Sequence, residues 1–290
     1  MKRSILGVLL VLTFVAVGIA SAPSLTFTFS DVHTTKTATE TDSYGVNNAG
    51  VIVGDYIDSA SVQHGFSLAG KKLTTIDNKA CSSVISFYAV NSAGTAAGWC
   101  TGTSGTEIAF TWAIGKFTTI SFPKSTGTEA TGINDKGDVV GLYLDSASVE
   151  HGFVKKGKKY TSIDVAGQPT TVAYGINNKD DIAVYAITSA GDYVSYLYNG
   201  KTFKSISDPN AGAIGTVAHI PNNKGDIAGT YFDSNSDSVG FLLHGGKYYD
   251  LKDPKANNST RADGLNDKLE IVGRYTSTSG ATVGFKATTK

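Results

Sequence analysis

Eight residues of this chain have side chains suited to holding a polar ligand, and they recur at a spacing that would gather them. Tyr44, Tyr88, Tyr174, His219 and Asp263 fill one position of a repeated unit whose remaining copy is Thr131. Asp42, Glu129 and Arg261 stand two residues earlier in their own units, where the other copies carry Ser86, Val172 and Val217. Tyr offers a stacking face with a polar tip, and Asp, Glu, His and Arg offer acceptors and donors. That combination suits a small polar ligand or the end of a glycan. The structural reading of the same residues is that they pack against strand ends and cap them. Asp42 and Glu129 could also serve a glycosidase or lyase if their separation allowed it.

Other chemistry is poorly supported. The sequence has no Gly-x-Ser-x-Gly, no His-Glu-x-x-His and no Gly-rich phosphate loop opening a helix. The histidines His33, His64, His151, His219 and His244 are scattered, and His64 and His151 repeat one framework position. No catalytic residue, metal or cofactor is expected, and the balance leans away from an enzyme.

The elements that must position these residues come from a repeat. The stretch Thr131 to Asp164 holds four short apolar runs separated by turn signals, and the chain from Asp42 to Lys290 is that stretch rewritten six times. The first Asn of each turn is Asn47, Asn91, Asn134, Asn177, Asn222 and Asn266, in steps of 44, 43, 43, 45 and 44. A second-strand Gly precedes a third-strand aromatic by twelve residues in Gly54/Phe66, Gly98/Phe110, Gly141/Phe153, Gly229/Phe241 and Gly273/Phe285, with Val184/Tyr196 as the variant copy. Four strands per unit at this period predict an all-β, six-bladed β-propeller of four-stranded blades. The last unit has three strands, and the stretch Leu25 to Phe29 is one spare strand. The expectation is that this N-terminal strand completes the last blade as its outermost strand and removes an exposed edge.

Asn and Gly accept positive φ, which suits the turns between strands one and two and the Gly-Lys turns between strands three and four. The links between strands two and three, and from strand four to the next blade, are longer and more varied. Strand alternation puts them on one face, the expected home of a binding site. There Asp58, Asp145 and Asp233 form a pseudo-threefold set, readable as a repeated polar site or as Asx turns. The second-strand residues Asp55, Trp99, Leu142, Tyr185, Thr230 and Arg274 read as inter-blade packing. The second-strand Gly leaves room for an aromatic of the adjacent blade or for close backbone.

Lys plus Arg equals Asp plus Glu at 25 each, so no basic field exists to attract nucleic acid. Residues 1–22 read as a secretory signal peptide: Lys2 and Arg3, an apolar run from Ile5 to Ala20, then small residues, with cleavage after Ala20 or Ala22. The competing reading is an uncleaved anchor. Residues 23–290 would then be a single propeller domain without a membrane span, secreted to an extracellular or periplasmic compartment and monomeric. An oxidising compartment permits one disulfide between Cys81 and Cys100, the alternative being two unpaired core thiols.

The residues also resemble the extracellular repeat proteins of the HAF family, named for a His-Ala-Phe motif. The match lies in Gly-Ile-Asn-Asp-x-Gly-x-x-Val-Gly at 132–141, in His64-Gly65-Phe66 and His151-Gly152-Phe153, and in Thr-x-Ile-Asp at Thr74 to Asp77. The middle Ala is Gly in most copies, surviving as Ala109, and the His is replaced in blades two, four, five and six. The resemblance implies a secreted bacterial repeat protein and no particular activity. The function expected is recognition of carbohydrate on the variable-loop face. The alternatives are a polysaccharide hydrolase or lyase at the channel mouth, or a cell-surface protein-interaction scaffold.

Overall fold

A computed structural model describes residues 25–289; the expected signal peptide lies outside the described residues. Six antiparallel four-stranded blades follow one another around the ring, the fifth and sixth also joined by a parallel bridge between Ser238 and Ser259. The innermost strands are Glu40–Val46, Cys81–Val90, Gly127–Ile133, Thr170–Ile176, Thr216–Pro221 and Ala256–Leu265. The spare strand, Phe27–Asp31, pairs antiparallel with the last strand, Thr282–Thr289, and becomes the fourth strand of blade six. The fold is the expected six-bladed propeller, closed as the sequence required. Among the described residues no helix is long and apolar enough to cross a membrane.

The Asn that marks each repeat explains its own recurrence. In blade one the Asn47 carbonyl oxygen Oδ1 accepts the backbone N–H groups of Ala49 and Val51, shaping the turn, while its Nδ2 donates to the main-chain oxygen of Asn91 in blade two at 2.9 Å. Asn91, Asn134, Asn177 and Asn222 pass the same bond onward at 3.0–3.3 Å. Asn266 returns it to Asn47 at 2.9 Å, so the circuit closes. All six side chains are buried.

A β-bulge sits at one place in every innermost strand, between Ser43 and Gly45, Phe87 and Ala89, Ala130 and Gly132, Ala173 and Gly175, Ala218 and Ile220, and Ala262 and Gly264. The extra residues are therefore Tyr44, Tyr88, Thr131, Tyr174, His219 and Asp263. A bulge re-aims a side chain, and here it acts on the six residues of one sequence position. Past the bulge the strands nearly touch: a Cβ on Gly264 would lie 2.5 Å from the Tyr44 carbonyl oxygen.

The twelve-residue spacing is a cross-strand pair: Gly54 faces Phe66 and Gly273 faces Phe285 in adjacent strands. The aromatic that crowds the second-strand Gly belongs to the same blade, not the neighbouring one. A Cβ on Gly54 would come 1.9 Å from the Asp42 carbonyl oxygen and 3.0 Å from Phe66. The Gly of His64-Gly65-Phe66 meets the next blade instead, with Phe87 at 2.3 Å from its virtual Cβ. Phe66, Phe87, Phe110, Phe153, Phe241 and Phe285 are at most 1% exposed and anchor the packing between blades. At the closure, Val272 of blade six packs with Val46, Ile52 and Phe66 of blade one.

Cys81 and Cys100 are joined in a disulfide between the first two strands of blade two. With the partners 19 positions apart in sequence, the bridge contributes about 3 kcal/mol through the unfolded chain.

Asn47→Ala removes one buried inter-blade donor and two part-buried turn bonds, so it should cost about 2 kcal/mol, read as a lower urea midpoint. A loss within error would show that the Asn circuit is incidental to closure.

Candidate functional site

The innermost strands run from the variable-loop face at Asp42 to the turn face at Asn47, and the axis is therefore layered. Its middle layer is the bulge ring. Tyr44 stacks on Tyr88 with centroids 4.5 Å apart, Tyr88 meets Tyr174 edge-on at 6.1 Å, and Tyr174 lies 4.6 Å from His219. The His219 Nδ1–H donates to the Ala262 carbonyl at 2.8 Å, and burial holds its imidazole below the usual pKa. Thr131 donates to the Ala173 carbonyl at 2.8 Å. Burial raises all three Tyr hydroxyl pKa values, so the ring presents neutral phenols.

Towards the turn face this ring floors a cavity of about 80 Å³, bounded by the Asn circuit and by a run of polar bonds between neighbouring turns. In the latter, Asp135 accepts from Ser92 and Asn178, and Asp267 accepts from Asn223 and Asn48. Those bonds hold both carboxyls below their ordinary pKa. The cavity is far below the few hundred Å³ typical of a ligand pocket, and its carboxylates are engaged.

Towards the variable-loop face the axis is charged. Arg274, from the second strand of blade six, reaches across the closure. Its Nη1 lies 3.4 Å from Asp42 Oδ1, and its guanidinium sits 4.9 Å from the centre of the Tyr44 ring. Asp42 is directly opposite Asp55 in blade one. Asp263, with a side chain 1% exposed, lies 3.4 Å from His219. Four buried atoms of this group, Asp42 Oδ1, Asp55 Oδ1, Asp263 Oδ2 and Arg274 Nη1, have no hydrogen-bond partner. Burial raises the Asp42 carboxyl pKa against the pull of Arg274, and burial with the nearby Asp42 pushes Asp55 up to about 7.

Six of the eight expected residues thus come together: Asp42, Tyr44, Tyr88, Tyr174, His219 and Asp263. The other two lie at the edges of this group: the charge of Glu129 acts on Tyr88, and Arg261 lines a pocket with Arg274. Glu129 stands with Glu107 and Glu150, where burial and those two charges push it up to about 8. Arg261 lies 5.8 Å over the Phe232 ring. It shares a pocket of about 200 Å³ with Ser259, Arg274, Tyr275, Thr276 and Thr282.

Sequence reasoning missed Asp55 and Arg274, which it took for packing residues. A signal was present: they put charge where other blades carry Trp99, Leu142, Tyr185 or Thr230, and ring closure makes blades six and one neighbours.

The pseudo-threefold carboxylates are structural. Oδ1 of Asp58, Asp145 and Asp233 accepts backbone N–H groups two and four residues on, the Asx arrangement. Asp58 and Asp145 also neighbour His64 and His151, which bond Asp77 and Asp164 at 2.9 and 2.7 Å. The loops are shorter than expected: 58–62 spans barely more than the turn at 47–50, and the long links among the described residues are 32–39 and 207–215.

No protein-family model matches the sequence, and no curated protein matches it either. Solved structures do resemble the fold. A lectin of Aleuria aurantia in complex with Fucα1-6GlcNAc superposes with a TM-score of 0.56 at 12% identity, covering 88% of this chain and 96% of the lectin. The SapL1 lectin in complex with α-methyl fucoside gives 0.56 at 11%, covering 86% and 92%. TolB from Acinetobacter baumannii gives 0.55 at 13%, covering 82% and 64%. The Aleuria lectin is itself described as a six-bladed β-propeller. The shared feature is the fold.

The raised carboxyls set a pH dependence. The folded state holds the Glu129 and Asp55 protons more tightly than the unfolded chain, so stability falls as pH rises from the ordinary carboxylate range to about 8. His64 and His151 act in the same direction: burial alone would lower them, but their Asp partners raise them, and that stabilisation is lost as pH rises through the folded values. His219, held neutral, opposes on the acid side. Thermal melting should give a higher midpoint at about pH 6 than at about pH 9, with a smaller difference in Glu129→Gln. An unchanged difference in that variant would place the titrating group elsewhere.

Proposed function

We propose that this protein binds carbohydrate at a single site on its axis, on the variable-loop face. The observation that carries the reading is a buried polar group beside the Tyr44 and Tyr88 rings, in which Asp55 Oδ1 and Asp263 Oδ2 lack a hydrogen bond and Asp42 Oδ1 and Arg274 Nη1 have only each other, at 3.4 Å. A buried polar atom without a partner costs about 1–3 kcal/mol, so the group calls for water or a ligand with several hydroxyls. Sugar hydroxyls donate to carboxylates and accept from a guanidinium, and the apolar side of a sugar ring packs on an aromatic face. The lectins that share the fold bind a fucosylated disaccharide and a fucoside, which supports the ligand class.

Repeated binding at equivalent blades has less support, because Asp58, Asp145 and Asp233 are used up in their turns. A protein-interaction scaffold has little. The large apolar side chains exposed among the described residues, Val62, Ile114 and Val149, lie on three different blades. A polysaccharide hydrolase or lyase draws on one observation: Glu129 would hold a proton at neutral pH and could act as an acid. Secretion through the N-terminal segment fits a glycan binder.

Calorimetry with a panel of neutral glycans, α-methyl fucoside among them, should give about one site per chain, with affinity reduced at least about tenfold in Asp42→Asn and in Arg274→Gln. Three or more sites per chain would move binding off the axis. Heat without saturation, accompanied by reducing ends released and abolished in Glu129→Gln, would favour the enzyme. No binding at all would remove the reading.

A further inference from the structure

We propose that the pocket at the mouth of blade six takes the acidic substituent of a carbohydrate, a carboxylate or sulfate ester, so that the favoured ligand is an acidic sugar. This rests on the carbohydrate reading above and names its ligand class. The pocket of about 200 Å³ is lined by Ser259, Arg261, Arg274, Tyr275, Thr276 and Thr282: two guanidiniums, four hydroxyl-bearing residues and no carboxylate. Arg261 makes no ion pair among the described residues, its charge resting over the Phe232 ring. Arg274 has one acidic neighbour within ion-pair distance, Asp42, and its Nη1 still lacks a hydrogen bond. Five fixed N–H donors on each guanidinium match the geometry of an oxyanion.

What distinguishes this pocket from a site for any free anion is its neighbour. Arg274 also belongs to the axial group, whose remaining members Asp42, Asp55 and Asp263 offer acceptors. Acceptors on one side and donors on the other orient a ligand that has hydroxyl protons at one end and an oxyanion at the other. A bare sulfate has no proton to give the carboxylates and is repelled by them. A neutral sugar satisfies the carboxylates and leaves Arg261 unmatched. The chain carries as many acidic as basic residues, so the attraction is local.

The test titrates matched pairs: galactose with galacturonate and with galactose 6-sulfate, glucose with glucuronate, and inorganic sulfate alone. The acidic member of at least one pair should bind about tenfold tighter than its neutral partner. The preference should shrink as NaCl rises from about 50 mM to about 500 mM, and should fall to about one in Arg261→Gln. Arg261→Lys should keep salt sensitivity but lose most of the preference, because the fork is gone. The salt series on the unaltered protein tests the inference should either variant fail to fold. Equal binding of neutral and acidic members would overturn it while leaving carbohydrate binding intact. Inorganic sulfate as tight as the sulfated sugar would reduce the pocket to an anion site and overturn it too. No binding by any sugar would overturn both.

Discussion

The structure depends on a closed circuit of six asparagines. Each side chain does two jobs that no other residue type combines at this size: its oxygen accepts two backbone N–H groups of its own turn, and its nitrogen donates to the next blade. Asp would lack the donor and bury a charge; Ser would be too short to span both. Because the circuit has no end, each bond holds the geometry of the next, and the polar turn backbone stays satisfied beside a channel too narrow for much water. The outer closure, where the strand Phe27–Asp31 completes blade six, acts at the rim as the Asn circuit acts at the axis.

The ring geometry accounts for the bulges. Six strands converging on one axis must leave room at the centre, and the small residues after the bulge, such as Gly45, Gly175 and Gly264, bring their backbones almost into contact. The bulge then turns one side chain per blade toward the axis. The scaffold supplies six equivalent inward positions, and the sequence differs among them: three Tyr, one Thr, one His and one Asp.

Much of this was legible in the sequence because repetition makes it so. Strand number, blade number and the completing N-terminal strand follow from counting, and the column of unlike residues at the same distance from each Asn read as a candidate site, without the bulge that the structure shows there. What stayed hidden depends on who neighbours whom. Arg274 and Asp42 are 232 residues apart and meet only because the ring closes, so Arg274 read as one more packing residue. Gly54 was correctly read as a point of close approach, but the crowding atom is the Asp42 carbonyl, displaced by a bulge that no turn residue announces. Arg261 and Glu129 share a repeat position with Asp42, yet side-chain length and the neighbouring charges send them to different places.

The charged residues form two groups, one with Glu107, Glu129 and Glu150 at blades two and three and one at the ring closure. Asp42 and Asp55 come from blade one, Asp263 and Arg274 from blade six, so four of the buried atoms that lack a hydrogen bond lie at the seam where the ring closes. Elsewhere on the axis the same layer is filled by Val172 and Val217, both buried. Burying carboxylates with free lone pairs weakens the seam, and the completing strand, the Asn266-to-Asn47 bond and the packing of Val272 on blade one offset that weakness. A ligand that bridges Asp42 and Arg274 joins blade one to blade six. Such a ligand binds the closed ring and not the open chain, so by mass action it favours closure. On this argument the polar group and the seam coincide: buried charge is concentrated where the ring closes, and a polar ligand there would offset its cost.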